Sequence, residues 1–192
     1  MAETGIKYDC DLVVIGGSAG AFDVILQALG KLQEGLRFPI IIVLHRKSSF
    51  DSMLSDLFSV KTRIPVKEAE DKDLLEPGHI YLAPPDYHML IESDHTVGLD
   101  ASEKVQYSRP SIDVTFQSAA DVFGAKLVCI LLSGANADGV DGLLATKNAG
   151  GLVVVQDPNN AGVSYMPAQA MQSMEVDHVI KGEEIAEFIN AL

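Results

Sequence analysis

The segment Gly16-Gly17-Ser18-Ala19-Gly20 places a serine in the G-x-S-x-G spacing of a nucleophile elbow. An apolar run, Asp11-Leu12-Val13-Val14-Ile15, leads into it, and Ala21-Phe22-Asp23-Val24-Ile25-Leu26 leads out. The pattern predicts a strand, a glycine-rich turn with Ser18 at its apex, and a helix. Glycines permit a strained turn and leave room for a substrate to reach the hydroxyl. Backbone N–H groups at the start of the helix can face a developing oxyanion. Other uses of such a turn exist. A dinucleotide fingerprint would need glycine where Ser18 and Ala21 stand, and a P-loop would need a Gly-Lys-Ser/Thr that the chain lacks here. On the turn alone, a serine nucleophile, a phosphate cradle and a plain structural turn all remain open.

A serine nucleophile needs a base, and the base needs an orienting carboxylate. His45 is the best-placed base, because it follows the buried-type run Ile40-Ile41-Ile42-Val43-Leu44 and so stands at a strand's carboxyl end, like Ser18. His79 and His88 flank the middle strands, His95 lies in a polar turn, and His178 precedes the last apolar pair. The acid should come from a third strand end. Leu127–Leu132 runs into Ser133-Gly134-Ala135-Asn136-Ala137-Asp138-Gly139, which offers Asp138 just before a helix. Asp141, Asp157 and Asp113 compete with it, and spacing does not choose among them. The order Ser, His, Asp differs from that of the α/β-hydrolases. His79, His88 and His95 form no tight ligand motif, so no metal site is expected.

The elements that must position these residues alternate between strand and helix. Strands are predicted at Leu12–Ile15, Ile40–Leu44, Ile80–Ala83, Leu127–Leu132 and Leu152–Val155. Several are uniformly apolar, as in strands covered on both faces. Helices are predicted at Ala21–Leu32, Asp51–Phe58, Ile112–Phe123, Val140–Asn148 and Glu183–Ala191. Ser111 reads as the N-cap of the third and Gly124 as its terminator. Between Pro77 and Asp100, short apolar runs and tight turns predict an antiparallel hairpin. The expected fold is α/β: a doubly wound, mainly parallel sheet flanked by helices, with an antiparallel hairpin at one edge, and residues 1–192 forming one catalytic domain. Ligands in such folds bind beyond the carboxyl ends of the strands.

With 192 residues the chain can bury a substantial core. Its net charge of −13 would repel a nucleic-acid backbone. No run is long enough to span a membrane and the N-terminus has no signal-peptide core, so a cytoplasmic location without membrane insertion is expected. Cys10 and Cys129 lie in or beside apolar runs and read as buried, reduced thiols.

Taken together, these blocks resemble the catalytic domain of CheB-type protein-glutamate methylesterases of bacterial chemotaxis. The resemblance runs through Val14–Gly20, Leu44-His45, Val66–Ala69 and Pro77–Pro84. It continues through His88-Met89, Arg109–Val114, Leu132–Gly134, Asp138-Gly139, Ala149–Gly151, Gln156-Asp157 and Met166-Pro167. It implies Ser18 as nucleophile, His45 as general base and Asp138 as orienting acid, with Ala19, Ala135 and Arg109 as oxyanion or substrate-binding positions. The implied reaction is hydrolysis of glutamate γ-methyl esters on the cytoplasmic helices of chemoreceptors, with deamidation of particular glutamines by the same chemistry. No cofactor is implied.

The chain departs from the family in places. The family usually carries an N-terminal receiver domain, and this sequence begins almost at the catalytic domain. That leaves a stand-alone enzyme, a partner of a separate response regulator or methyltransferase, or an excised piece. Ala19 stands where the family often has threonine. Gly134-Ala135-Asn136-Ala137 stands where it often has Gly-Met-Gly-Asn, although a backbone donor at Ala135 survives a side-chain change. Arg46 and Lys47 could steer an acidic receptor helix. The alternatives to a receptor methylesterase are a non-catalytic signalling scaffold and a serine esterase with a substrate outside chemotaxis.

Overall fold

Successive residues of the central strands are buried on opposite faces, so each strand feeds two cores. The computed structural model describes residues 8–45 and 53–192. In β1 (Leu12–Gly17), Leu12 and Val14 join one cluster while Val13 and Ile15 join the other. The same division splits β2 (Ile40–Leu44), where Ile41 and Val43 face one way and Ile40 and Ile42 the other. This follows from the twofold alternation of side chains along a strand. A strand buried on both faces has no polar position, which is why these runs carry no polar residue.

On the second face lie α1 (Ala21–Leu29), α2 (Leu54–Ser59) and α6 (Ile185–Ala191), through residues such as Ile25, Phe58 and Ile189. On the first lie α3 (Ile112–Phe123), α4 (Val140–Asn148) and α5 (Tyr165–Ser173), through Phe116, Leu143 and Met166. The remaining strands of the large sheet are β3 (Val66–Glu68), β4 (Ile80–Leu82), β7 (Leu127–Leu131), β8 (Leu152–Gln156) and β9 (His178–Ile180). The described sheet is seven-stranded and parallel, in the order β3-β4-β2-β1-β7-β8-β9. The chain fills one side of β1 first and then crosses to the other with β7. That reversal opens a crevice at the carboxyl ends of β1 and β7.

The expected hairpin is present as a two-stranded antiparallel sheet of its own, β5 (His88–Ile91) and β6 (Val97–Asp100). It packs on α3. The Thr115 hydroxyl donates to the Met89 carbonyl at 2.8 Å, and the Ile91 N–H donates to Ser118 Oγ at 3.0 Å.

α3 and α4 have the predicted bounds, and Ser111 caps α3 as expected, its Oγ accepting from the Val114 N–H at 3.4 Å. α1 stops at Leu29, three residues before Leu32, with Gly30 at its C-cap. The last predicted helix begins as a 3₁₀ turn over Gly182–Glu184. Residues 51 and 52 of the predicted second helix lie outside the described residues, as do Arg46 and Lys47. β3, β9 and α5 carried no prediction. The two strands have three residues each, and β9 is half-buried at most. α5 carries Pro167 in its first turn, which reads as a break in sequence yet costs no hydrogen bond there. Cys10 and Cys129 are free and buried, and burial pushes the Cys10 thiol up to about 12. Among the described residues, no helix is long and apolar enough to cross a membrane.

Candidate active site

The parallel ladder delivers Ser18, His45 and Ser133 to one row. β1 and β2 pair Gly17 with Leu44, so the next residues, Ser18 and His45, leave the sheet side by side. The His45 N–H donates to the Gly17 carbonyl at 3.2 Å. On the other flank the Ser18 N–H donates to the Ser133 carbonyl at 2.9 Å. The turn closes when the Ala21 N–H donates to the Ser18 carbonyl at 3.0 Å.

Gly20 makes that turn possible. Its φ is +82°, a left-handed conformation that costs a side-chain-bearing residue. A Cβ there would stand 2.7 Å from Ser133 Oγ and 3.3 Å from the Gly162 Cα. Ser133 Oγ braces the turn by donating to the Ala19 carbonyl at 2.6 Å and accepting from the Val163 N–H at 2.8 Å. Gly20→Ala should therefore lose about 1–2 kcal/mol of stability and displace Ser18. Thermal melts and kcat measured together would check this, and a variant that matched wild type in both would contradict the steric account.

His45 is nearly buried, its side chain 13% exposed, and its Nε2 lies 2.6 Å from Asp138 Oδ2. Asp138 is fully buried and accepts three further hydrogen bonds: from Ser111 Oγ at 2.8 Å, the Ile112 N–H at 2.7 Å and the Asp113 N–H at 3.0 Å. The last two belong to the first turn of α3, so the carboxylate sits on that helix's positive N-terminus. Burial raises the Asp138 pKa. The His45 bond and the N–H groups of Asp113 and Ile112 outweigh burial and hold it below its ordinary value.

With Nε2 committed to Asp138, the other ring nitrogen, Nδ1, is the one able to take a proton. It lies 3.4 Å from Ser108 Oγ. Among the described residues the Ser18 hydroxyl has no hydrogen-bond partner, and the N–H groups of Ala19 and Ala135 have none either. Ala19 and Ala135 are exposed and Ser18 is half-buried.

The other candidates are placed apart. Asp141 is exposed on the first turn of α4, and Asp157 caps a turn by accepting from the Asn159 N–H. Asp113 is buried but faces α4 rather than His45. Arg109 Nη1 donates to the carbonyls of Ala101 at 2.7 Å and Ser102 at 2.6 Å, pinning that loop, while its Nε is buried without a partner among the described residues. The histidines weighed as metal ligands are dispersed. The His79 Nδ1 lies by the Pro77 carbonyl, and the His95 ring lies 4.7 Å from that of Phe123. His88 is buried, with Nδ1 accepting from the Ser111 N–H and Nε2 donating to the Glu103 carbonyl. His88, Ser108, Ser111 and Ser133 thus support the site. In the sequence Ser111 is marked by its place at a helix start, His88 and Ser133 lie in the blocks His88-Met89 and Leu132–Gly134, and Ser108 carries no signal.

The chain is similar to known proteins in sequence and in fold. Residues 13–189 match the family model described as CheB methylesterase. A putative protein-glutamate methylesterase/protein-glutamine glutaminase of Leptospira interrogans is 42% identical over 177 residues, covering 92% of each chain. The protein-glutamate methylesterase/protein-glutamine glutaminase of Halobacterium salinarum is 33% identical and covers 98% of this chain, which spans 55% of that protein. The crystal structure of the Thermotoga maritima CheB methylesterase catalytic domain superposes with a TM-score of 0.90 at 30% identity, covering 94% of this chain and 97% of that one.

Proposed function

Because the chain belongs to the CheB methylesterase family, we propose that it is a serine hydrolase that demethylates glutamate γ-methyl esters, and deamidates glutamines, on the cytoplasmic helices of chemoreceptors. The observation that carries the reading is the 2.6 Å contact between His45 and the buried Asp138, set beside the Ser18 turn. Asp138 holds the imidazole with its proton on Nε2, which leaves Nδ1 as an acceptor. As Ser18 Oγ attacks the ester carbon, its proton passes to Nδ1, and Asp138 stabilises the imidazolium that forms. The carbonyl oxygen becomes an oxyanion, which the Ala19 and Ala135 N–H groups are free to bind. Collapse of the tetrahedral intermediate expels methanol, protonated by His45, and leaves a glutamyl ester on Ser18. Water, deprotonated by His45, then releases glutamate. Glutamine follows the same path with ammonia as leaving group. Every step uses groups of this chain and water.

The reading is tested by mass spectrometry of methylated receptor fragments after incubation with the protein. The expected result is a loss of ~14 Da per modified site, one methyl group replaced by hydrogen. An unchanged mass with every receptor, while a serine-reactive probe still labels Ser18, would place the substrate outside chemotaxis. Failure of both would leave the fold as a scaffold.

A further inference from the structure

Asp113 is a buried carboxyl group that the proposed reaction does not use. Only 3% of it is exposed. Its Oδ1 accepts from the Gly139 N–H at 2.9 Å and the Gly142 N–H at 2.7 Å, and its Oδ2 from Gln106 Nε2 at 3.0 Å. The first two donors open α4, and Gly139 is the residue after Asp138. Asp138 in turn accepts from the N–H groups that open α3, including that of Asp113 itself. The two helices are thus capped reciprocally, each by a carboxyl group carried at the start of the other. Gly142 allows the approach, since a Cβ there would stand 3.1 Å from the Asp113 backbone.

We propose that Asp113 is a positioning residue of the active site: it holds the loop that carries Asp138, and when ionised it places a second negative charge behind the His45–Asp138 pair. The proposal rests on the serine-hydrolase reading of the same site. A charge at that place stabilises the imidazolium formed in the transition state more than the neutral ring before it, so ionised Asp113 should speed the chemical step.

Among the described residues, the charged and titratable groups around Asp113 are few. Asp138 precedes α4 and Asp141 is in its first turn, while His45 at the end of β2 acts through Asp138. His88 of β5 reaches the same helix end at Ser111. β1, β2 and β7 offer α3 only apolar side chains and the Cys129 thiol. Burial pushes the Asp113 carboxyl up to about 7; the Gly142 N–H opposes this, and the charges of Asp138 and Asp141 add to it. Asp113 therefore changes charge within the working range of a hydrolase.

The test compares wild type, Asp113→Asn and Gln106→Ala, reading kcat/KM for an activated ester from pH 5 to 9 and thermal stability from pH 4 to 9. Asparagine keeps an acceptor for Gly139 and Gly142 and removes the charge. The wild-type acid limb should need one more ionisation than that of Asp113→Asn, whose plateau should be several-fold lower. Gln106→Ala removes a donor to the ionised carboxylate and should move that extra step to higher pH. The folded state binds the Asp113 proton more tightly than the unfolded chain, so wild type loses stability as pH rises from about 4 to about 7. The melting temperature of Asp113→Asn should accordingly gain on wild type across that window and hold its lead above it. Identical acid limbs in wild type and Asp113→Asn would overturn the proposal, whatever the melting curves do. Should Asp113→Asn fail to fold, an acid limb unmoved in Gln106→Ala would overturn it. Absence of hydrolysis by wild type would overturn the hydrolase reading and this proposal together.

Discussion

Ser18→Ala should lower kcat/KM by at least about 10³-fold while leaving the melting temperature almost unchanged. The two halves of the expectation rest on different observations. Ser18 Oγ has no hydrogen-bond partner among the described residues, so removing it orphans nothing. The bonds that shape the turn are made by the Ser18 backbone, to Ser133 and from Ala21, and alanine keeps both. Ser18 is not among the residues with positive φ, so alanine fits its conformation. A half-buried hydroxyl without a partner is worth little to stability. In the proposed mechanism the same atom forms the acyl-enzyme. What survives in the variant is oxyanion stabilisation and binding, enough to exceed the rate in water but not to sustain turnover. The measurement is steady-state hydrolysis of an activated ester beside a thermal melt. Wild-type rates in the variant would remove Ser18 from the mechanism, and a collapsed melt would show that the turn needs the hydroxyl after all.

How far the site could be read from the sequence depended on what holds each residue. The central strands β1, β2, β7 and β8 were legible because burial on both faces leaves an unbroken apolar run. Ser18 and His45 came with them, each one residue beyond a legible strand or its glycine end. The edge strands β3 and β9 face the core on one side and are too short for alternation to show. The acid was the hard case. Asp113, Asp138, Asp141 and Asp157 are alike in local sequence, each near a turn or helix start. What separates Asp138 is a tertiary fact, the arrival of the first turn of α3 and of His45 at its carboxylate, from residues up to 93 positions away. No local pattern encodes that meeting. From the sequence Asp113 is only a rival for the acid, because its capping of α4 depends on the same meeting of helix ends.

Asp138→Asn and Asp138→Ala should both lose activity on the order of 10³–10⁴-fold, and the alanine variant should be the more destabilised of the two. Asp138 receives hydrogen bonds from His45 and Ile112 at Oδ2 and from Ser111 and Asp113 at Oδ1. An asparagine carbonyl at the Oδ1 place still accepts from Ser111 Oγ and the Asp113 N–H, and its amide N–H₂ then stands at the Oδ2 place, facing His45 and the Ile112 N–H. Beside His45 it drives the imidazole proton to Nδ1, where it blocks transfer from Ser18; this is the wrong-tautomer loss known for the aspartate of other triads. Alanine leaves the same donors buried with no acceptor and removes the negative charge from the α3 N-terminus, at a cost of about 3–5 kcal/mol.

The pH dependence separates the roles further. Asp138 is held below its ordinary carboxylate value of 3.8, so it contributes stability above that pH and the contribution is lost as the pH falls below it. Acid melts of wild type should therefore steepen in that range, and those of Asp138→Asn, which has no proton to take up there, should not. If instead Asp138→Ala kept wild-type stability, the carboxylate would not be the anchor of α3. If Asp138→Asn kept wild-type turnover, the proton on His45 would not be under its control.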